Sequence, residues 1–528
     1  MFARRRRRGL SYLPPEPTRT PILLYLVLAA LFFGGIFYFK SNLLHPVKGM
    51  VLDAYTSKPV VNATVTLEND ERLARTASLS RVFTTTTTLD GSFSFDKATD
   101  NIKLVVEANT YLPTQSQPDK ATGIEVRLRP RNLRGIVRDQ QAKPVVRANV
   151  TLNDKNVLTD NDGVFIMEDA PEEGQIFIKA AGYKSASLNF SKTASLDVNL
   201  QPLVNKGIYL RAANVSDPGT LPDLLTTLTN SGLNTVVIDL KDSNGLTFYD
   251  SKNPLARPAD VAKGKISDPT AMVKAFRARG IYTIARISVF QDASLTDVKP
   301  EYALKSRSTG KLWADSARFN WANPYLKPVW DYNIDLAREA ASFGFDEIQF
   351  AFVHFPQVGT LSDIEYGRVS DADTRIQAVT GFLKEANTQL SKLGTFISVE
   401  VLGQSVLEGG DLGIGQDISQ MADFVDYVSP VLFPSYFGAG SFGFDKPATQ
   451  PFVVINKSLT FARSKLDGKR AQLRPWLQDF SAEGVTYGVA EVKAEIQALD
   501  EATKTATRPT GWLLWNGQGR YTTGALKG

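Results

Sequence analysis

From about residue 205 to the C-terminus the chain repeats one rhythm, and this rhythm limits its possible folds more than any other feature. It is clearest around Gly344–Pro356, GFDEIQFAFVHFP. Residues 329–343 carry apolar side chains at helical spacing, with Trp330, Ile334, Leu336 and Ala340 on one side. A short glycine-containing turn follows, then β-favouring residues from Ile348 to Phe355 that stop at Pro356. Helix, tight turn and buried strand in succession is the pattern of a β/α protein. Eight strands are expected, at 207–211, 235–240, 282–289, 347–353, 395–401, 427–432, 474–477 and 511–515. Helices are expected between them at 221–231, 269–279, 376–393, 416–424 and 489–498. This predicts a (β/α)8 TIM barrel over 205–528, with its active site at the C-terminal strand ends. A doubly wound sheet fits less well. No Gly-x-Gly-x-x-Gly follows a strand and there is no phosphate loop, so no nucleotide cofactor is implied.

Polar residues gather where the predicted strands end. The second strand finishes in Asp239-Leu240-Lys241-Asp242, the third carries Arg286, the fifth carries Glu400 and the seventh runs into Gln478-Asp479. Side chains two apart on a strand share a face, which pairs Asp239 with Lys241 and aligns Glu347, Gln349 and Ala351. A carboxylate inside an apolar strand costs desolvation energy unless it is paired or working. Glu400, Asp239, Asp242 and Asp479 are therefore the candidate catalytic residues. Lys241, Arg286, Gln349 and His354 are candidate substrate contacts, together with the aromatic Trp321, Tyr325, Tyr436, Trp476 and Trp515. Flat rings beside carboxylates suit the apolar face of a sugar, and paired carboxylates suit an oxocarbenium-like transition state.

The N-terminal region reads differently. Val47–Leu67 (VKGMVLDAYTSKPVVNATVTL) resembles Leu133–Leu152 (LRGIVRDQQAKPVVRANVTL), and the Asp-Gly turns of LDGSFSF and NDGVFIM fall at matching places. Short strands with regular turns and no helical stretch predict two small all-β sandwich modules, at 46–130 and 131–203. Ahead of them a basic tail, 1–21, precedes an apolar run, 22–39. Eighteen such residues can span a bilayer, and the arginines Arg4–Arg8 and Arg19 would hold the N-terminus in the cytoplasm. The segment offers no small-x-small cleavage site, so a single-pass transmembrane anchor in a bacterial inner membrane is expected, with the later domains extracytoplasmic.

Composition excludes several chemistries. The 528 residues contain no cysteine, which rules out thiol catalysis and Cys-based zinc sites, and with only two histidines, His45 and His354, an ordinary Ser-His-Asp triad is not expected. No spaced metal-ligand set is seen, and neither a metal nor a cofactor is expected. Five of the positive charges behind the net +5 are Arg4–Arg8, which leaves the body nearly neutral and without a nucleic-acid surface.

The repeated β pattern resembles the transthyretin-like, carboxypeptidase-regulatory family, which implies a spacer or binding role. In the C-terminal region, VVIDLKDSNG, ARISVFQD, WANPY, GFDEIQF, DYVSPVLFPSYF, RPWLQDF and GWLLWN occur in an order that resembles a bacterial family of glycoside-hydrolase-like barrels, the DUF4015 type. The resemblance implies a barrel acting on polysaccharide. It also exposes departures. Where that family tends to read FDYVRFP, this chain has Ala351, Phe352 and His354. Its Ser-Ala-Asp becomes Ser398-Val399-Glu400, and Asn323 replaces an Asp. If the missing Asp is the nucleophile, Glu347 or Glu400 would have to compensate. Three readings follow: a membrane-anchored glycoside hydrolase, a catalytically silent glycan-binding protein, and a structural envelope protein that contacts a partner.

Overall fold

A computed structural model describes residues 25–32, 44–77, 79–153, 155–506 and 510–526. Residues 25–32 are helical, and no helix among the described residues is long and apolar enough to cross a membrane. The basic tail and most of the 22–39 run lie outside the described residues. The chain divides into two compact units, residues 1–133 with 168–170 and 192–194, and the remainder.

The first unit holds a three-stranded and a four-stranded sheet. His45–Asp53 is flanked by Ser92–Ala98 and Thr122–Leu128, and the other sheet runs Val82–Thr86, Thr64–Glu68, Lys103–Glu107, Thr114–Ser116. Val47, Val51, Phe93 and Val126 from one sheet pack with Val65, Leu67, Leu104 and Val106 from the other, which makes a sandwich. A helix, Glu71–Ala77, interrupts the strands, contrary to the expectation of modules without helices.

The second unit opens with the same sheet plan. Leu133–Asp139 lies between Val164–Met167 and Ser195–Leu200, and the four-stranded sheet runs Lys155–Leu158, Asn149–Leu152, Glu173–Lys179, Ala186–Ser191. The sequence repeat is thus a structural repeat. One shared constraint is the Asp-Gly turn. Gly91 and Gly163 have φ of +76° and +73°, and a Cβ on either would collide with the carbonyl of Val51 or Val137.

The rest of this unit is a closed barrel of eight parallel strands: β1 Lys206–Leu210, β2 Thr235–Lys241, β3 Tyr282–Ser288, β4 Glu347–Ala351, β5 Phe396–Leu402, β6 Tyr427–Val431, β7 Trp476–Gln478 and β8 Trp512–Trp515. Pairing of β1 with both β2 and β8 closes the ring. The strand expected at 474–477 is broken. Gln472–Leu473 pairs with β6, Pro475 intervenes with no N–H to donate, and β7 then begins at Trp476. Outer helices include α1 Leu221–Asn230, α2 Pro269–Ala278, α3 Lys327–Ser342, α4 Ala372–Leu390, α5 Pro451–Lys465 and α6 Val489–Thr503. The helix expected at 416–424 is a single turn, Ile418–Met421, and α5 was not among those expected.

Polar side chains thread the barrel axis in tiers. At the N-terminal end Arg474 grips the Glu347 carboxylate, which also accepts from Ser398 Oγ and, at 3.1 Å, from Tyr282 OH. Above it Gln349 donates to Ser429 Oγ and accepts from Trp476 Nε1 at 3.2 Å. The top tier contains Asp239, Arg286 and Glu400. The second β module closes the lower end. Lys179 Nζ donates to the Thr395 carbonyl and lies 3.0 Å from Asp426 Oδ2, while Arg470 lies 3.2 Å from Asp426 Oδ1. Gly182 N donates to Tyr427 OH, and Ala181 packs into the apolar cluster inside the barrel with Tyr282, Phe396 and Tyr427.

Candidate active site

The top tier follows from strand register. Asp239 on β2 lies directly opposite Arg286 on β3. The Arg286 guanidinium then reaches past β4 to Glu400 on β5. Its Nε and Nη2 donate to the two Glu400 oxygens at 2.6 and 2.9 Å, and Nη1 donates to Asp239 Oδ1 at 3.0 Å. Tyr209, near the end of β1, donates its hydroxyl to Asp239 Oδ2 at 2.7 Å. One cation therefore bridges two carboxylates, and about a tenth of each of the three side chains remains exposed.

Aromatic rings enclose the cation. The guanidinium lies 5.2 Å from the Trp515 ring and 5.9 Å from the Phe352 ring, and Trp515 stacks on Tyr209 with centroids 4.1 Å apart. Phe352 has φ +53°, an uncommon conformation for a bulky side chain, at the point where the chain leaves β4. That turn carries the chain on to His354.

The electrostatics follow from burial. Burial raises the Asp239 pKa above the usual carboxylate range, and Arg286 and Tyr209 only partly offset it. Burial opposes the charge on Arg286, but Glu400 and Asp239 more than compensate and hold the guanidinium above its ordinary range. Burial pushes His354 down to about 4. Its Nδ1 lies 2.7 Å from the Phe355 carbonyl, which can only accept, so Nδ1 carries the proton of a neutral ring.

A cavity of about 270 Å³ opens over this tier at the C-terminal strand ends. Arg286, Glu400 and His354 contribute to its lining, with Trp476, Trp515, Phe352, Phe433, Tyr436 and Phe437 as walls and Gln357, Gln404 and Gln416 as amides. Tyr436 is 60% exposed and stands at the rim.

The structure thus brings Glu400, Asp239, Arg286, His354, Tyr436, Trp476 and Trp515 together, with Gln349 beneath them holding the Trp476 indole. Other sequence-derived candidates lie elsewhere. Lys241 does not share a face with Asp239, because the register slips between them, Asp239 opposing Arg286 and Lys241 opposing Ile287. The slip turns Lys241 toward α3, where it pairs with Asp292 at 2.5 Å and donates to Asn333 Oδ1 and the Ser288 carbonyl. Asp242 closes a turn by accepting from Asn244 N and Leu246 N. Asp479 is buried and braces the last loop through Thr522 N and Oγ1. Trp321 binds Asp315 and Tyr325 binds Ser370, so both stabilise loops and do not line the cavity. Glu347 cannot stand in for a carboxylate at position 351, because its ion pair with Arg474 is fully enclosed at the far end of the axis. Tyr209, Phe352 and Phe433 are not among the sequence-derived candidates. Alternation along β1 puts Tyr209 on the inner face, but the register sets it opposite Val237, and only its hydroxyl reaches Asp239.

A search of the curated proteins finds no match. Among solved structures, a hypothetical protein from Ruminiclostridium thermocellum is 30% identical, over 36% of this chain and 96% of that chain, with a TM-score of 0.31. The glycoside hydrolase domain of PelA from Pseudomonas aeruginosa is 11% identical over 59% of this chain and 95% of its own, with a TM-score of 0.34. The spore cortex-lytic enzyme SleL of Bacillus cereus is 11% identical over 61% and 73%, with a TM-score of 0.37. These TM-scores are too low to carry an argument. The family comparison does carry one. Residues 207–521 match the model described as "Putative glycosyl hydrolase domain", and the chain belongs to that family, DUF4015.

Proposed function

We propose that the barrel is a glycoside hydrolase domain that receives a sugar ring in the cavity above Glu400 and acts on an extracytoplasmic or cell-wall polysaccharide. The observation that carries this reading is the Arg286 guanidinium bridging two carboxylates on the floor of an aromatic-walled cavity. Glycoside hydrolysis uses a carboxylate pair in which one member is ionised and the other donates a proton. Glu400 accepts an N–H on each oxygen, an arrangement that suits its anion as nucleophile or base. Asp239 is the second member. Burial favours its protonated form, and a substrate that displaces Tyr209 or Arg286 from it frees that carboxyl to donate. Trp515 in the cavity wall and Tyr436 at its rim offer flat surfaces to the apolar face of the ring. The run at 22–39, preceded by six arginines, anchors the protein to a membrane in this reading. Release of the full chain from membranes by alkaline carbonate would remove that part.

A second reading, glycan binding without cleavage, is favoured by Ala351, which brings a methyl group where the resemblance expects an acid. Reducing-end release from a panel of cell-wall and storage polysaccharides separates the two. Hydrolysis by the full chain that Glu400→Gln abolishes supports the hydrolase. Binding without hydrolysis, with activity gained in Ala351→Asp, supports the silent form. Absence of both binding and hydrolysis removes both.

A further inference from the structure

We infer that the cavity selects a sugar carrying a free amino group, a hexosamine unit of a deacetylated aminoglycan, an inference that rests on the glycan-binding reading above. The charged groups at its floor are Arg286 and Glu400, with Asp239 behind the guanidinium, so Glu400 is the one carboxylate that faces the cavity. No lysine or further arginine lines the cavity. His354 adds no positive charge at neutral pH, and with Nδ1 committed to the Phe355 carbonyl its ring has only the acceptor Nε2 to offer. Each Glu400 oxygen takes a single N–H from Arg286, and no other donor among the described residues reaches that carboxylate. A carboxylate oxygen has two lone-pair positions, so each retains one.

The walls reinforce the preference. Trp515, Phe433, Tyr436 and Phe437 present aromatic faces and edges around this carboxylate. An ammonium group brings three donors and a positive charge to open acceptors and ring faces, whereas a hydroxyl brings one donor and no charge. An N-acetyl group removes the charge and two of the three N–H donors. Selection at the amine therefore follows from the charge of the ammonium, the open lone pairs of Glu400 and the ring faces together.

The test titrates the full chain with glucosamine, N-acetylglucosamine and glucose, and with the corresponding β-1,4-linked hexamers, at low ionic strength. The free-amine forms should bind about tenfold more tightly than either counterpart, the size expected of a cation among rings and a carboxylate. Glu400→Gln should remove that preference. Gln404→Glu should increase it, because position 404 is partly exposed at the same cavity and adds a negative charge without disturbing the floor. Equal or tighter binding of the acetylated or neutral sugars overturns the amine selectivity and leaves the glycan-binding reading intact. Failure of every sugar to bind overturns both.

Discussion

Arg286 commits three of its five N–H donors to Glu400 and Asp239, so lysine is not a conservative replacement there. Arg286→Lys keeps the charge but cannot supply the two-pronged contact to Glu400. Loss of one charge-assisted bond, at about 1.5–3 kcal/mol, should lower kcat/KM on a cleaved glycan by roughly 10- to 150-fold. Steady-state kinetics would check this, and an unchanged value would remove Arg286 from the working site. His354 makes a prediction about stability. Its folded pKa of about 4 lies below the ordinary 6.5, so between these values the unfolded chain binds the extra proton and stability rises with pH. The contribution is fully present above pH 6.5 and is lost as pH falls toward 4, by about 3 kcal/mol in total. Denaturant unfolding across this window should show that slope, and His354→Gln should flatten it. Tyr436, Trp476 and Trp515, the expected rings that line the cavity, sit at or beside strand ends, where position alone aims a side chain at the mouth. Trp321 and Tyr325 sit in long loops, where the same chemistry satisfies Asp315 and Ser370 and local sequence cannot tell the two uses apart.

Among the elements, the barrel strands were legible because strands buried on both faces read as continuous apolar runs. Two features within them were not. The slip in β2 shifts the pairing by one residue, which leaves the local apolar pattern intact yet sends Lys241 away from the mouth. The break before β7 follows from Pro475, whose effect depends on whether its N–H would have been needed, and that depends on the neighbouring strand. The contact between the second β module and β5–β6 was also hidden, since Lys179 in its own sequence looks like a surface lysine. In the structure it is 2% exposed and serves Thr395 and Asp426, which are more than two hundred residues away in sequence. Removing one partner of a buried ion pair costs about 3–5 kcal/mol, and Arg470 remains to compensate in part. Lys179→Ala should therefore destabilise this unit by about 2–3 kcal/mol in chemical denaturation, while Lys184→Ala, on an exposed position of the same module, should stay within about 0.5 kcal/mol. Equal effects from the two would mean that the interface carries no energy.

At the scale of the whole molecule, the division of the chain does not follow the spacer-plus-barrel plan that a repeat of two modules suggests. The second module and the barrel form one compact unit, with Ala181 and Lys179 closing the barrel's lower end. A fragment of residues 131–528 should unfold cooperatively, whereas residues 205–528 alone would expose Asp426, Phe396 and Tyr427 to water and should fail to do so. Cooperative folding of the shorter fragment would contradict this. The central claim concerns the other end of the barrel, where Arg286 holds two carboxylates beneath an aromatic cavity. Its most direct measurement is a crystal structure of the full-chain Glu400→Gln variant with a bound oligosaccharide. The account predicts a sugar ring against Trp515 or Tyr436, with its anomeric carbon facing the residue 400 side chain. A sugar bound elsewhere on the protein, with this cavity empty, would contradict it.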